Sequence, residues 1–323
     1  MNAWFIGVFL ITLAAIVLLD IYTEAVSISA VSRAVFNNII NMPYLALFPV
    51  ALGVAMFYIT QFFLKRNLYL DGLSKQRSSQ VSTSDIPFLR TFGAAGELAA
   101  VEIKLILRNK RPKSTLIMSA FFMLYGLLFY RGPELDGMIM VFAGLFMTGI
   151  FIINYGQFMF SWQSSHFDGI LANRISAEDF FKSKILLFTL FSSVAFLLTI
   201  PYVYFGWKVL LAHAMLYLWN IGLSSLIVLA FANWNYKYID LSKGSSFNWE
   251  GVGASQFIIG LPLFILPMFI YTIVKWLFNP VAALLMLGFI GLFFIVSRSF
   301  WLNKLLKSFK QKRYIIAEGF RNH

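Results

Sequence analysis

Cysteine is absent from this 323-residue chain, so it can form neither a disulfide nor a thiolate metal site. Histidine is nearly absent. His166, His213 and His323 are the three, and no His-Glu-x-x-His run sets two of them on one helix face. No metal or other cofactor is expected. Acidic residues number 14 against 26 Lys and Arg, and none lies near the middle of an apolar run. Ion-coupled carriers place ionisable groups there, and this chain lacks them. It also lacks Gly-x-x-x-x-Gly-Lys-[Ser/Thr]. The glycine clusters Lys243-Gly-Ser-Ser and Gly251-Val-Gly do not have that spacing. Gly222-Leu-Ser224 is no serine nucleophile paired with His213, because one helix would hold the two about 16 Å apart. The chain is therefore not expected to be an enzyme.

Long apolar runs fill what remains. Mean hydropathy is +0.76. A helix needs about 20 apolar residues to cross a bilayer. Eight runs qualify, near 3–19, 43–64, 115–131, 138–160, 184–206, 209–233, 256–278 and 281–301. Threaded alternately, they place 22 Lys and Arg in one set of loops and 4 in the other. That asymmetry predicts cytoplasmic chain ends. It also accounts for the +12 net charge without nucleic acid as a partner. The expected fold is all-α: a polytopic bundle of eight transmembrane helices embedded in the lipid bilayer. The first run lacks a basic leader and a nearby small-residue cleavage site, so it reads as a retained helix rather than a signal peptide.

The chain then divides into four expected parts. Residues 1–64 form a two-helix membrane unit, and residues 65–91 a Ser-rich cytoplasmic linker. Residues 92–301 comprise an amphipathic helix and six spans, and 302–323 a basic cytoplasmic tail. In the helix 92–111, Glu97, Lys104, Arg108 and Arg111 share one narrow stripe, whereas Glu102 falls on the otherwise apolar side. Pro112 is expected to end it. Such a helix suits the membrane interface, and a soluble helix packed on a partner would show the same pattern.

After the fourth run, Phe167, Ile170 and Leu171 sit at i, i+3, i+4 and make one apolar face on a short helix. Ser176-Ala-Glu-Asp179 reads as a capping box that opens the next helix. Polar residues within the runs are few. Asn154 with Gln157, and His213 with Asn220, share helix faces. They either line a path or hydrogen-bond neighbouring helices. Pro201 predicts a kink in the fifth run, and Pro262 with Pro267 a kinked or broken seventh.

Several strings carry a resemblance. Glu102-Ile-Lys-Leu-Ile-Leu-Arg108 before a span resembles the elbow helix of an ABC-2-type transporter permease. Phe167-Asp-Gly-Ile-Leu171 with Ile175-Ser-Ala-Glu178 and Lys184 resembles the cytoplasmic loop of that module. Asn41-Met-Pro-Tyr-Leu, Arg108-Asn-Lys-Arg-Pro112, Pro201-Tyr-Val-Tyr-Phe-Gly-Trp207 and Gly260-Leu-Pro-Leu are similar to an uncharacterised bacterial branch related to these permeases, along the whole chain. Members of that branch carry a further membrane region ahead of this start. Residues 1–64 would then be the remnant of a preceding module.

The resemblance implies a permease subunit of the bacterial inner membrane, with both termini cytoplasmic, powered by a separate cytoplasmic ABC ATPase. A second copy or a second permease module would complete it. Phe167, Ile170 and Leu171 would enter a groove on the ATPase, with Asp168, Arg174 and Glu178 orienting the contact and Gly169 and Ser176 belonging to the same coupling loop. Glu102 and Arg108 would seat the elbow helix. A non-transporting membrane scaffold or assembly factor for envelope machinery is the alternative. Unlike many such permeases, this chain has only a tight Asn279-Pro280 turn between its last two runs.

Overall fold

The computed structural model describes residues 28–42, 44, 47–71, 86–130, 137–172, 175–234, 237–242, 252, 256 and 258–321. Every regular element among them is helical. The chain forms two units, Met1–Gln80 and Val81–His323.

In the first unit, α1 (Ile28–Asn41) occupies a stretch expected to be a polar connection, and α2 is Leu47–Asp71. The apolar part of α2 is Val50–Phe62, shorter than the expected span. Lys65, Arg66 and Asn67 follow soon after it. The expected first span lies outside the described residues.

The second unit opens with α3 (Pro87–Arg90), where Pro87 takes a first-turn position that needs no N–H donor. Then comes α4 (Gly93–Arg108). The break after α4 falls at Asn109, which is extended (φ −99°, ψ 139°) and donates from Nδ2 to the Leu105 carbonyl at 2.8 Å. Pro112 was expected to stop this helix. It instead lies in the first turn of α5 (Lys110–Phe122), where its missing N–H costs no hydrogen bond. A 3₁₀ turn and one more α turn carry α5 on to Phe129.

α6 (Met138–Gly156) runs through the middle of this unit and packs against α5 and, as the chain continues, against α8 (Ala177–Thr199) and α9 (Trp207–Trp219). Between α6 and α8 lie a 3₁₀ segment, Ser161–His166, and the short α7 (Phe167–Ala172). Ser176 caps α8 as expected: its Oγ accepts from Asp179 N at 3.4 Å, with Glu178 and Asp179 in the first turn. Pro201 was expected to kink a span. It falls instead in the 3₁₀ turn Ile200–Phe205 that finishes α8.

α9 passes through a π turn, Asn220–Ser224, into α10 (Ser225–Ala232). A π turn leaves a carbonyl short of a backbone donor. The Ile221 carbonyl accepts from Ser225 Oγ at 2.9 Å and from Arg298 Nη2 at 2.9 Å. A second π turn, Leu261–Ile265, holds Pro262, and Pro267 sits in the first turn of α11 (Leu266–Leu277). The helix nonetheless continues from Leu261 to Leu277, so the run expected to be kinked or broken there is widened rather than interrupted. Asn279 Oδ1 accepts from Ala282 N at 2.8 Å and caps α12 (Pro280–Val296).

α12 lies along α9. Their backbones approach so closely that a Cβ on Gly291 would stand 2.5 Å from the Leu218 backbone. After Ser297 the chain turns by 64° into α13 (Arg298–Arg321). The basic stretch expected to be a tail is thus the greater part of a 24-residue helix that buries Leu302, Leu305, Leu306, Phe309, Ile316, Ala317 and Phe320.

Among the described residues, four continuous helical stretches are long and apolar enough to cross a membrane: 110–129, 138–172, 177–205 and 207–232. The bent pair α12 and α13 makes a fifth if counted as one span. At 1.5 Å per residue, 177–205 extends about 44 Å, against a hydrocarbon thickness of about 30 Å. Two cores result. An aromatic one gathers Phe151, Tyr155, Phe160, Phe181 and Phe309, and a second gathers Tyr130, Met147, Leu216, Trp219 and Leu287.

Candidate functional site: a buried ion pair beside a covered loop

The buried face of α4 reads Ala95, Ala99, Glu102, Ile106, which is helical spacing. The small residues let α4 lie close against α8. Glu102 therefore points inward, at 2% exposure, and meets Lys184 of α8, which is fully buried. The Lys184 ammonium contacts both Glu102 carboxylate oxygens. Tyr155, at the end of α6, donates its hydroxyl to Glu102 Oε1 at 2.7 Å. Gln163 Nε2 reaches Oε2 at 3.4 Å.

Aromatic rings close the cluster. Lys184 Nζ stands 4.7 Å from the Phe180 ring centroid, and Tyr155 stacks between Phe151 and Trp162. Trp162 Nε1 donates to the Tyr155 carbonyl at 2.8 Å. Removing two charges from water costs several kcal/mol per ion, and a buried pair persists when good geometry and added hydrogen bonds offset that cost. Here each carboxylate oxygen has two donors. The carboxylate and ammonium are spent on one another, so the arrangement fixes four segments together and leaves no free nucleophile. Among the described residues, no three His, Asp or Glu side chains gather where a metal ion could bind.

Glu102, which lies off the expected polar stripe, is thus paired with Lys184 of α8. Arg108 does not join it and lies exposed. Arg111, expected on the polar stripe, is buried.

The loop beside this cluster is covered by the chain itself. Phe167 was expected to enter a partner's groove. It is 2% exposed, with its ring against Phe160, Phe309 and Phe320. Ile170 and Leu171 are half-buried and line a cavity of about 280 Å³ with Phe309, Lys310 and Arg313 of α13. Asp168 accepts two hydrogen bonds from Arg321, at 3.0 and 2.7 Å, so α13 is pinned to α7 at the surface. Glu178 pairs along its own helix with Lys182 at 2.6 Å. Gly169 is exposed, Ser176 serves as the cap, and Arg174 lies outside the described residues.

The polar residues of the runs divide among separate partners. The Tyr130 hydroxyl and His213 Nε2 are 2.6 Å apart. Asn220 Nδ2 donates to the Leu145 carbonyl at 3.0 Å and to Thr148 Oγ1 at 2.9 Å. Ser192 Oγ donates to the Thr148 carbonyl at 2.6 Å. These are bonds between neighbouring helices, the second of the two readings open from sequence. Asn154 and Gln157 are half-buried, and neither side chain has a hydrogen bond to His213 or Asn220.

Sequence reasoning marked Glu102 and quoted Lys184 but did not join them, and it passed over Tyr155, Gln163 and Arg321. The one available signal was the helical spacing of Leu302, Leu305, Phe309, Ile316 and Phe320, masked by the surrounding lysines.

No curated protein matches the chain, and no solved structure does. A family described as "Family of unknown function (DUF5687)" matches residues 1–323 from end to end, and the chain belongs to that family.

Proposed function

We propose that the chain is the membrane-spanning permease subunit of an ABC-2-type transporter in a bacterial inner membrane. It crosses eight times, both ends are cytoplasmic, and a separate ATPase supplies the energy. The observation that carries this reading is the Glu102–Lys184 cluster. It joins an amphipathic helix, the end of α6, the loop at 161–166 and the head of α8. Force applied to the loop passes through that cluster into two spanning helices without first distorting a soft connection. Because Phe167 is buried, the ATPase contact moves to the exposed His166, Asp168, Gly169 and Ala172, with Arg321 beside them.

A photo-crosslinking residue at Gly169 tests this in membranes. A crosslink to a nucleotide-hydrolysing subunit, changing in yield when ATP is trapped with vanadate, is the expected result. Capture of a protein without ATPase activity, indifferent to nucleotide, overturns it. That outcome favours the second reading, a membrane scaffold, which draws support from α13 covering the loop and from the interhelical bonds of His213 and Asn220.

A further inference from the structure

α10, the end of α12 and the first turns of α13 enclose a slot of about 440 Å³. That volume lies within the roughly 300–1,000 Å³ of small-molecule sites. Its walls are apolar and aromatic, including Ile227, Phe231, Trp234 and Trp301. Lys304 lines it too, with its ammonium 4.6 Å and 4.9 Å from the Phe300 and Trp301 ring centroids. Asn233 closes the C-terminal end of α10. Its side chain is 1% exposed, and neither Nδ2 nor Oδ1 has a hydrogen-bond partner. A buried amide with no partner is a standing cost, and satisfied amides are the rule in native structures. Asn233 is among the residues lining the slot, with its amide atoms covered.

We infer that the slot binds an anionic phospholipid. One acyl chain lies between Ile227, Phe231 and Trp301. The phosphate meets Lys304, and a turn of the covered Asn233 side chain brings Nδ2 to donate to it and Oδ1 to accept from a headgroup hydroxyl. Position and charge select this occupant. The slot sits where a spanning helix ends, in the set of loops that holds 22 of the 26 basic residues. Basic pockets between spanning helices on that side suit anionic headgroups. Trp234, 58% exposed, and Trp301 take the place of interfacial aromatics, and Lys312 stands 5.0 Å over the Trp234 ring. The inference requires that the protein reside in a bilayer with this end of α10 on the basic side, so it is independent of any ATPase.

Thermal unfolding of the full chain in neutral micelles, with native mass spectrometry of retained lipid, tests it. Phosphatidylglycerol, phosphatidylcholine and glycerol 3-phosphate are the three probes. Phosphatidylglycerol is expected to raise the midpoint and to remain bound, by the linkage of ligand binding to stability. The other two are expected to do neither. Lys304→Gln removes one exposed cation and should weaken retention about fivefold. Asn233→Leu should weaken it about tenfold yet unfold no earlier than wild type without lipid. Should Asn233→Leu fail to fold, Lys304→Gln decides alone. Equal retention by wild type and the variants overturns the inference. Equal protection by phosphatidylcholine removes the charge requirement, and equal protection by glycerol 3-phosphate removes the acyl chain. Either result also overturns it.

Discussion

Around Glu102 the bundle encloses a full ion pair; around His213 and Asn220 it encloses only neutral groups. The first cluster joins a helix that precedes the spans to the head of α8. The second ties Asn220 of α9 to α6, which already lies beside it, and His213 of α9 to Tyr130 at the end of the 110–129 stretch. Neutral hydrogen bonds between apolar helices are worth about 0.6 kcal/mol on average and seldom more than about 1.7. They refine a packing that side-chain shape has already chosen. A buried pair is different, because either partner left alone is an uncompensated charge. The Glu102 cluster therefore specifies where α4 lies, and misplacing it is heavily penalised. The Asn220 bonds mainly trim the fit of α6 against α9, and the Tyr130–His213 bond ties the end of the 110–129 stretch to α9.

Six variants would break or sharpen that contrast. Glu102→Ala or Lys184→Ala alone should cost about 3–5 kcal/mol and reduce the yield of monodisperse protein. Glu102→Leu combined with Lys184→Met should cost less than either single change. Strictly additive losses in thermal unfolding would show that the two residues do not act as a pair. Next, Tyr155→Phe deletes a hydrogen bond to a carboxylate, an effect of about 1.5–3 kcal/mol. The same deletion at Tyr130 removes a neutral bond to His213 and should cost about 0.5–1.5 kcal/mol. Equal midpoints for the two variants would erase the proposed difference between the two clusters. Smallest is Asp168→Asn. Both partners of that pair are at the surface, where ion pairs contribute little, so the melting midpoint should stay put. Hydrogen exchange at residues 316–321 should quicken, and unchanged exchange there would mean that Arg321 does not pin α13.

The helical stretches through the middle of the chain could be read from hydropathy, because a run of apolar residues leaves the backbone few alternatives in lipid. The start of α8 was legible from Ser176 and its acidic first turn, a strictly local device. Glu102 was legible as an anomaly. Its partner was not, since Lys184 lies 82 residues away and nothing local couples the two. The π turns at 220–224 and 261–265 have no sequence code, because an extra residue in a helical turn is set by tertiary packing. Pro112 misled because a proline near an expected helix end suits the first turn of the next helix equally well. α13 was obscured by its own composition: its many lysines and arginines hide a helix with a buried face.

The cover over Phe167 has a consequence for biosynthesis. Phe160, Phe167 and Phe181 leave the ribosome long before Phe309, Phe320 and Arg321, which complete their enclosure. Domains generally fold as units while the chain emerges, N-terminal parts first. This aromatic nest must wait, open, for α13. During that interval a chaperone or a protease has its best access to the nascent polypeptide, and premature termination ahead of Phe309 would leave the nest permanently unroofed.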